Sequence, residues 1–117
     1  MDDRADKGGR GEQLAVDYLE NQGFTILTQN YRYGHYAEID IITQKDDLLL
    51  FVEVRSQDTF QMGSALHSVR QSKIDKLRKC ARSYLAFVYP QDREVDCRFD
   101  LITIDKGELT WHQDISR

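Results

Sequence analysis

The chain has 117 residues, of which 40% are hydrophobic, and it carries a formal net charge of −4 at pH 7. This length suffices for one compact domain and is too short for two domains that each bury a core. The excess of acids argues against nonspecific coating of nucleic acid, because such binding neutralises many phosphates. We therefore predict a single domain over residues 1–117, with residues 1–9 flexible.

Several features predict a cytoplasmic domain without a membrane span or a small-molecule cofactor. The longest apolar run, Leu48 to Val52, is far shorter than a transmembrane helix. The first residues lack the basic-then-apolar order of a secretory signal. Cys80 and Cys97 have neither metal nor redox spacing, so both are predicted to be reduced packing residues. The histidines show no zinc spacing and are predicted at surface or packing positions, namely His35, His67 and His112.

The first predicted element is an amphipathic helix that follows a flexible segment at residues 8–11 and ends near Gly23, where glycine supplies the left-handed cap. Its inward stripe is formed by Leu14, Ala15, Tyr18 and Leu19. Glu12 lies on the margin of this stripe, a suggestive position for an acid.

Three strands are predicted next. Residues 24–28 form the first strand, closed by a polar turn at residues 30–34. The second strand covers residues 37–43, and residues 44–47 reverse the chain into a third strand at residues 48–55. The apolar first half of this third strand indicates a central position in the sheet, covered on both faces.

Alternation along the second strand predicts which side chains share a face. One face would carry Glu38, Asp40 and Ile42. The other would carry Ile39 and Ile41. Glu38 would then be either a further ligand beside Asp40 or a solvated acid.

The C-terminal half begins with an irregular stretch around Met62-Gly63 and a second amphipathic helix at residues 72–88, stopped by Pro90. Two strands follow at residues 96–104 and 108–112, with Lys106-Gly107 as the turn. The predicted order is α-β-β-β-α-β-β.

Acidic and basic side chains converge at one end of the predicted hairpin. If the second and third strands pair about their turn, Asp40 lies near Glu53 and Arg55. Two carboxylates on neighbouring strands suit Mg²⁺ or Mn²⁺, which prefer oxygen ligands and commonly use one or two carboxylates together with substrate phosphates. Such a cation activates a bound water, while Arg55 would hold the phosphate. The alternative for Glu53 and Arg55 is a structural ion pair at a strand end.

At these residues the sequence resembles the PD-(D/E)XK nuclease superfamily, whose pattern is an acid on the second core strand and E-x-K on the third. Within that superfamily it resembles the UPF0102 (YraN-like) family. The landmarks of that family are present as Gly11-Glu12, Glu38-Ile39-Asp40, Phe51-Val52-Glu53-Val54, Gly63, Lys73 and Arg98-Phe99-Asp100. The resemblance implies an α/β restriction-endonuclease-like core, α-β-β-β-α-β-β, with a mixed sheet flanked by helices.

The resemblance also implies roles for particular residues. Asp40 and Glu53 match the metal-binding acids, and Glu12 matches the first-helix acid of Holliday-junction resolvases. Arg55 stands where the superfamily has its catalytic lysine. A guanidinium stays protonated at ordinary pH, so Arg55 would bind phosphate without trading protons. Analogy with the resolvases further suggests a homodimer.

Basic residues crowd into the second predicted helix and the residues just before it, where Asp75 is the only acid. They are Arg70, Lys73, Lys76, Arg78, Lys79 and Arg82. Such a segment is either a solvated helix face or a contact surface for DNA. The residues predicted to contact nucleic acid are Arg10, Arg55, Lys73 and Lys76.

The leading hypothesis is a Mg²⁺- or Mn²⁺-dependent endonuclease that hydrolyses phosphodiesters of DNA, including branched or flapped DNA. Its catalytic residues would be Glu12, Asp40, Glu53 and Arg55, with Asp40 and Glu53 as metal ligands. The alternative is a catalytically inactive module of the same fold that binds nucleic acid or a protein partner. A third possibility is an inert interaction domain whose acids only pair with basic neighbours.

Overall fold

The chain folds into a five-stranded mixed sheet with a helix on each face. The computed structural model describes residues 3–35, 37–57 and 71–116. The elements are α1 (Asp3–Asn21), β1 (Thr25–Tyr33), β2 (Ala37–Lys45), β3 (Leu48–Gln57), α2 (Gln71–Phe87), β4 (Asp96–Asp105) and β5 (Glu108–His112). This order confirms the predicted fold class. The expected irregular stretch at Met62-Gly63, together with His67 and Arg70, lies outside the described residues.

The strands lie across the sheet in chain order, β1-β2-β3-β4-β5. β3 and β4 pair in parallel, whereas the other neighbours are antiparallel. A parallel pair needs a crossover connection, and α2 belongs to it. Residues 49–52 of β3 are buried, as the apolar run predicted for a strand covered on both faces.

Each face of the sheet has its own hydrophobic core. The core under α1 includes Ala15, Val16, Leu19, Ile41, Leu50, Val52 and Ile102. The core under α2 includes Ile39, Ile42, Leu49, Phe51, Leu77, Cys80, Ala81 and Tyr84. Ile39 and Ile41 thus pack in different cores, so the prediction that they share a face is wrong. Strict alternation fails across Asp40, where β2 stops pairing with β3.

Two predicted boundaries are wrong in the N-terminal part of the chain, namely the end of β1 and the start of α1. β1 continues through most of the predicted turn, and its last residues pair with β2 as Tyr31↔Ile39, Arg32↔Glu38 and Tyr33↔Ala37. This pairing outweighs the polar local sequence, because strand formation depends strongly on tertiary neighbours. α1 begins at Asp3, so residues 8–11 are helical rather than a segment before the helix. The flexibility of residues 1–9 stays a prediction.

Turns and cysteines follow simple local rules. Gly23 has φ 95° after α1, which confirms the predicted left-handed cap. Lys106 and Gly107 have φ 52° and 82°, as a two-residue hairpin turn of type I′ requires. Both cysteines are free, and Cys80 is buried as predicted. The packing role predicted for Cys97 is wrong, because the first residues of β4 are exposed.

No helix within the described ranges is long and apolar enough to cross a membrane.

Candidate metal and phosphate site

The sheet divides where β2 and β3 part. Their ladder ends at the pair Ile41↔Val52. Beyond this point β2 stays paired with β1 as far as Ala37↔Tyr33, while β3 stays paired with β4 as far as Gln57↔Asp105. We call the opening between the two strands the fork. Polar side chains placed at its start are held by rigid strands on both sides.

Asp40 lies at the start of the fork. Its Oδ2 accepts a hydrogen bond of 2.8 Å from the backbone N–H of Val54, so a side chain takes up a β3 amide just past the end of the ladder. The bond holds the carboxylate of β2 against β3. Asp40 therefore lies beside Glu53, the neighbour of Val54 in the chain, as the sequence predicted for the hairpin.

Glu53 is the most buried acid of the fork. Its side chain is 10% exposed, and Oε1 lies 3.7 Å from Arg55 Nε and 3.6 Å from Lys73 Nζ. Both contacts are ion pairs that exceed the length of a good hydrogen bond. Oε2 is buried and has no hydrogen-bond partner in the part of the chain that the structure describes. Glu53 is thus compensated in charge but incompletely hydrogen-bonded, a costly state for a buried carboxylate.

Burial and repulsion shift the protonation of two acids. Burial raises the pKa of Asp40 to about 7, and repulsion from Glu53, Glu12 and Glu38 adds to the rise, while the bond from the Val54 amide opposes it. Burial also raises the pKa of Glu12, opposed by a hydrogen bond from Asn30. These acids are therefore close enough to interact electrostatically. A polar cleft whose acids have perturbed pKa values is a candidate functional site.

Glu12 borders this cluster from α1. It is half-buried, and its Oε2 accepts a 3.2 Å hydrogen bond from Asn30 Nδ2. The preceding Gly11 allows α1 to approach β3 closely, since a Cβ at this position would collide with Ser56 Oγ. Asn30 was missed as a site residue because the sequence placed it in a turn. Asn30 has a φ of 56° although it lies within β1, and this left-handed conformation is one that asparagine commonly adopts in turns. The local sequence therefore did not indicate that Asn30 lies in a strand.

The structure divides the predicted basic residues into two groups. Arg55 and Lys73 reach Glu53 and belong to the cluster. Arg10 and Lys76 are exposed, and no ion pair places either of them at the acids in the described part of the structure. Glu38 is half-buried and lies 3.4 Å from Arg32, so it is partly paired rather than simply solvated.

A divalent cation fits the acid pair. The unsatisfied Oε2 of Glu53 and the repulsion between Glu53 and Asp40 would both be relieved by a positive ligand. Among the residues described, no group of three or more His, Cys, Asp or Glu side chains is arranged to hold a metal ion. A cation held here would take Asp40 and Glu53 as protein ligands and complete its shell with water and substrate oxygens, as Mg²⁺ commonly does.

The landmark Arg98-Phe99-Asp100 has a structural role on β4. Asp100 is fully buried and accepts two 2.9 Å hydrogen bonds from Arg98, one of 2.8 Å from Trp111 Nε1 and one of 2.9 Å from the Asp114 amide. Every bond is short, so this charge is well compensated. Asp100 lies opposite Val52 of β3 and fixes the strand next to the fork.

The predicted histidines that are described lie away from the acids. His35 is exposed, and His112 Nε2 lies 3.1 Å from Thr103 Oγ1 on the neighbouring strand. Both observations confirm the expected surface and packing positions.

The element order and the mixed sheet define the class of protein, an α/β domain with a restriction-endonuclease-like core. The profile of the uncharacterised protein family UPF0102 matches residues 11–104. The chain belongs to this family. The matched range contains every acid of the fork as well as Arg55 and Lys73.

Curated relatives support the same assignment over most of their length. A UPF0102 protein of Shewanella denitrificans is 37% identical over 106 residues, which cover 91% of this chain and 94% of the relative. A UPF0102 protein of Chlorobium chlorochromatii is 41% identical over 98 residues, or 84% of this chain and 73% of the relative. One of Nitrosomonas europaea is 36% identical over 114 residues, or 95% and 93%.

Proposed function

We propose that this protein is a Mg²⁺- or Mn²⁺-dependent endonuclease acting on DNA, with branched or flapped DNA among its substrates. The observation that carries the proposal is the arrangement at the fork. Asp40 is held beside Glu53 by the Val54 amide, and Glu53 keeps a buried oxygen without a partner. A pair of acids with a purely structural role would be expected to have its buried oxygens hydrogen-bonded. An unpartnered carboxylate oxygen beside a second acid instead suits a hard divalent cation.

Hydrolysis would be divided among the residues of the cluster. A cation bound by Asp40 and Glu53 would lower the pKa of a water and neutralise charge on the phosphodiester. The water oxygen would bond to phosphorus as one P–O bond to a sugar breaks, and the departing sugar oxygen would take a proton from solvent. Glu12 would orient the water and accept its proton. Burial raises the pKa of Glu12 above its ordinary value, which makes its carboxylate a stronger base for this role.

The cations of the cluster would hold the scissile phosphate. Arg55 lies on β3 beside Glu53 and would stabilise the charge that develops on the phosphate oxygens. Arg10, Lys73 and Lys76 would contact neighbouring phosphates. By analogy with resolvases, a homodimer would present two such sites to a branched substrate.

A second candidate is a non-cutting module of the same fold that binds nucleic acid or a protein partner. It is favoured by Arg55, because a guanidinium stays protonated where a lysine could exchange a proton. Such a module would keep the phosphate contacts of the cluster and lack hydrolysis.

The decisive test is a cleavage panel of linear, nicked, flapped and four-way DNA with Mg²⁺ or Mn²⁺. The endonuclease cuts at least one of these substrates, and Asp40→Asn abolishes the cutting. Asp92→Asn, a change at an exposed acid, serves as the matched control and should cut like the wild type. Cutting that survives Asp40→Asn would point to a contaminant.

Metal binding can be tested without turnover. Calorimetry should detect weak Mn²⁺ binding that Glu53→Gln removes, because the variant loses one of two charged ligands. Equal binding by both proteins would place the cation elsewhere. Wild-type protein that binds DNA without cutting it at any metal concentration would favour the binding module, whereas binding of neither metal nor DNA would leave the inert domain.

A further inference from the structure

Lys73 contacts the candidate metal ligand from a different element. Glu53 lies on β3, whereas Lys73 lies in the first turn of α2 and reaches Glu53 as an ion pair. The Lys73 side chain is 39% exposed, while that of Glu53 is 10% exposed. The ammonium therefore reaches from the protein surface to a nearly buried carboxylate.

The contact between them is close enough for charge compensation and too long for a good hydrogen bond. Lys73 Nζ lies 3.6 Å from Glu53 Oε1, beyond the usual range for a charged N–H···O bond. A half-exposed ion pair of this length holds its partners weakly. Where another cation compensates the charge of Glu53, the lysine can leave at little cost, because its ammonium regains water when it moves outward.

We propose that Lys73 and a divalent cation compete for Glu53, so that cation binding releases the Lys73 ammonium to a phosphate of the nucleic acid. The inference rests on the proposed function and adds a coupling between its two ligands. A dication on Glu53 repels an ammonium held within 4 Å of the same carboxylate. The long flexible stem of lysine lets the charge swing toward an incoming phosphate instead.

Arg55 cannot take this role as easily. It follows Glu53 on the same strand, and its Nε is buried without a hydrogen-bond partner in the described part of the chain. Its position relative to Glu53 is set by β3, whereas that of Lys73 is set by a separate helix. Lys73 is consequently the mobile cation of the cluster and Arg55 the fixed one.

The first test measures Mn²⁺ binding by calorimetry in wild type, Lys73→Gln and Lys73→Arg. Lys73→Gln should bind Mn²⁺ roughly three- to tenfold more tightly, because a competing positive charge has been removed. Lys73→Arg keeps the charge and should stay within about twofold of wild type. Arg93→Gln, at an exposed arginine near the turn of the β2–β3 hairpin, controls for the loss of net charge and should also match wild type.

The second test measures the coupling to DNA by fluorescence anisotropy, with a phosphorothioate duplex that resists cutting. In wild type, Mn²⁺ should raise the affinity for this DNA, and in Lys73→Gln the same addition should raise it roughly three- to tenfold less. The variant thus gains metal affinity and loses metal-dependent DNA affinity. If Lys73 were only a solvated surface residue of α2, its substitution would not raise the Mn²⁺ affinity while lowering the Mn²⁺-dependent gain in DNA affinity.

The outcomes separate this inference from the proposed function. If wild type binds Mn²⁺ at the Glu53 site and Lys73→Gln binds it no more tightly, the competition is refuted and the metal site stands. An equal effect of Mn²⁺ on DNA affinity in both proteins would likewise refute the release of Lys73. Wild-type protein that binds no Mn²⁺ would overturn both proposals.

Discussion

At the scale of single residues, the surroundings of Asp40 disfavour the charged form of its carboxyl group. Burial and repulsion from Glu53 raise the pKa of Asp40 from its ordinary value of 3.8 to about 7. A carboxyl whose pKa is raised by folding keeps its proton in the native state over a pH range in which the unfolded chain has lost it. Its contribution to stability is full below pH 4 and is lost as the pH rises toward 7.

This titration predicts the behaviour of Asp40→Asn in EDTA. The amide keeps an oxygen for the Val54 amide and removes the charge, so the variant should be more stable than wild type by on the order of 1–3 kcal/mol at pH 8. The difference should shrink steadily as the pH falls from 7 to 5. Urea unfolding at several pH values measures it.

Asp92→Asn, at an exposed position, should show no such trend. Excess Mn²⁺ should reduce or reverse the difference in free energy of unfolding between Asp40→Asn and wild type. The reason is that only the native wild type is stabilised by the free energy of Mn²⁺ binding. A difference between Asp40→Asn and wild type that stays constant from pH 5 to pH 8 would contradict the titration of Asp40 in this range.

Arg55 gives a prediction that separates cutting from binding. In an active nuclease, Arg55→Lys should keep or raise the cleavage rate, and Arg55→Ala should lower it by about a hundredfold or more, since a contact to developing charge is lost. In a binding module, wild type does not cut, and Arg55→Ala only weakens DNA binding. Single-turnover cleavage and anisotropy on the same three proteins measure both effects.

Arg55→Lys is the informative sample of this series. Cleavage that appears only in this variant would mean that the site lacks nothing but a cation able to exchange protons. Absence of cleavage together with unchanged DNA binding in all three proteins would exclude both the nuclease and the binding module.

At the scale of elements, the fork explains how much of the site the sequence could predict. The tight reversal before β3 and the apolar run of that strand predicted the hairpin, so the proximity of Asp40 to Glu53 followed from strand pairing. The splitting of the sheet did not follow. It depends on the bond between Asp40 and the Val54 amide and on β1 continuing to Tyr33, which are tertiary contacts.

Helix positions were predictable to a similar degree. The apolar stripe of α1 placed Glu12 at the margin of the core, and the structure finds it half-buried there. The partner of Glu12 could not be predicted, because Asn30 meets it across the fold rather than along the chain. The same holds for Lys73, whose sequence context is equally typical of a solvated helix face.

The glycines of α1 provide a test of how the helix is set against β3. Both Gly9 and Gly11 lie inside the helix, where alanine is favoured by about 0.5–1 kcal/mol. A Cβ on Gly9 meets nothing within 4 Å, whereas one on Gly11 collides with Ser56 Oγ. Gly9→Ala should therefore raise the free energy of unfolding by this amount, and Gly11→Ala should fail to raise it.

The collision can be relieved to confirm its cause. Adding Ser56→Ala to Gly11→Ala removes the hydroxyl oxygen and should recover most of the missing stabilisation, as read from urea midpoints of the single and double variants. If Gly11→Ala alone is as stabilising as Gly9→Ala, the close approach of α1 to β3 is not a constraint on the position of Glu12.

At the scale of the whole molecule, an acidic protein is proposed to bind a polyanion. The formal net charge of −4 makes a large nonspecific footprint unfavourable. Binding must then depend on a local group of cations at the open end of the fork and along α2. The opposite end of the β2–β3 hairpin is different in character, since Arg93 there shares a surface with Asp46 and Asp47.

This layout predicts a shallow salt dependence with a defined origin. If Arg10, Arg55, Lys73 and Lys76 each contact one phosphate, the logarithm of the DNA association constant should fall with the logarithm of salt concentration with a slope of about −3 to −4. Lys76→Ala should reduce the magnitude of that slope by about one, because one fewer counterion is released. Anisotropy titrations at several salt concentrations in EDTA measure the slopes without cleavage. Arg93→Ala removes the same charge from the far end of the hairpin and should leave the slope unchanged. If both variants lower the slope equally, the DNA lies across the whole surface rather than along the fork and α2, and the local cation group does not direct it to Asp40 and Glu53.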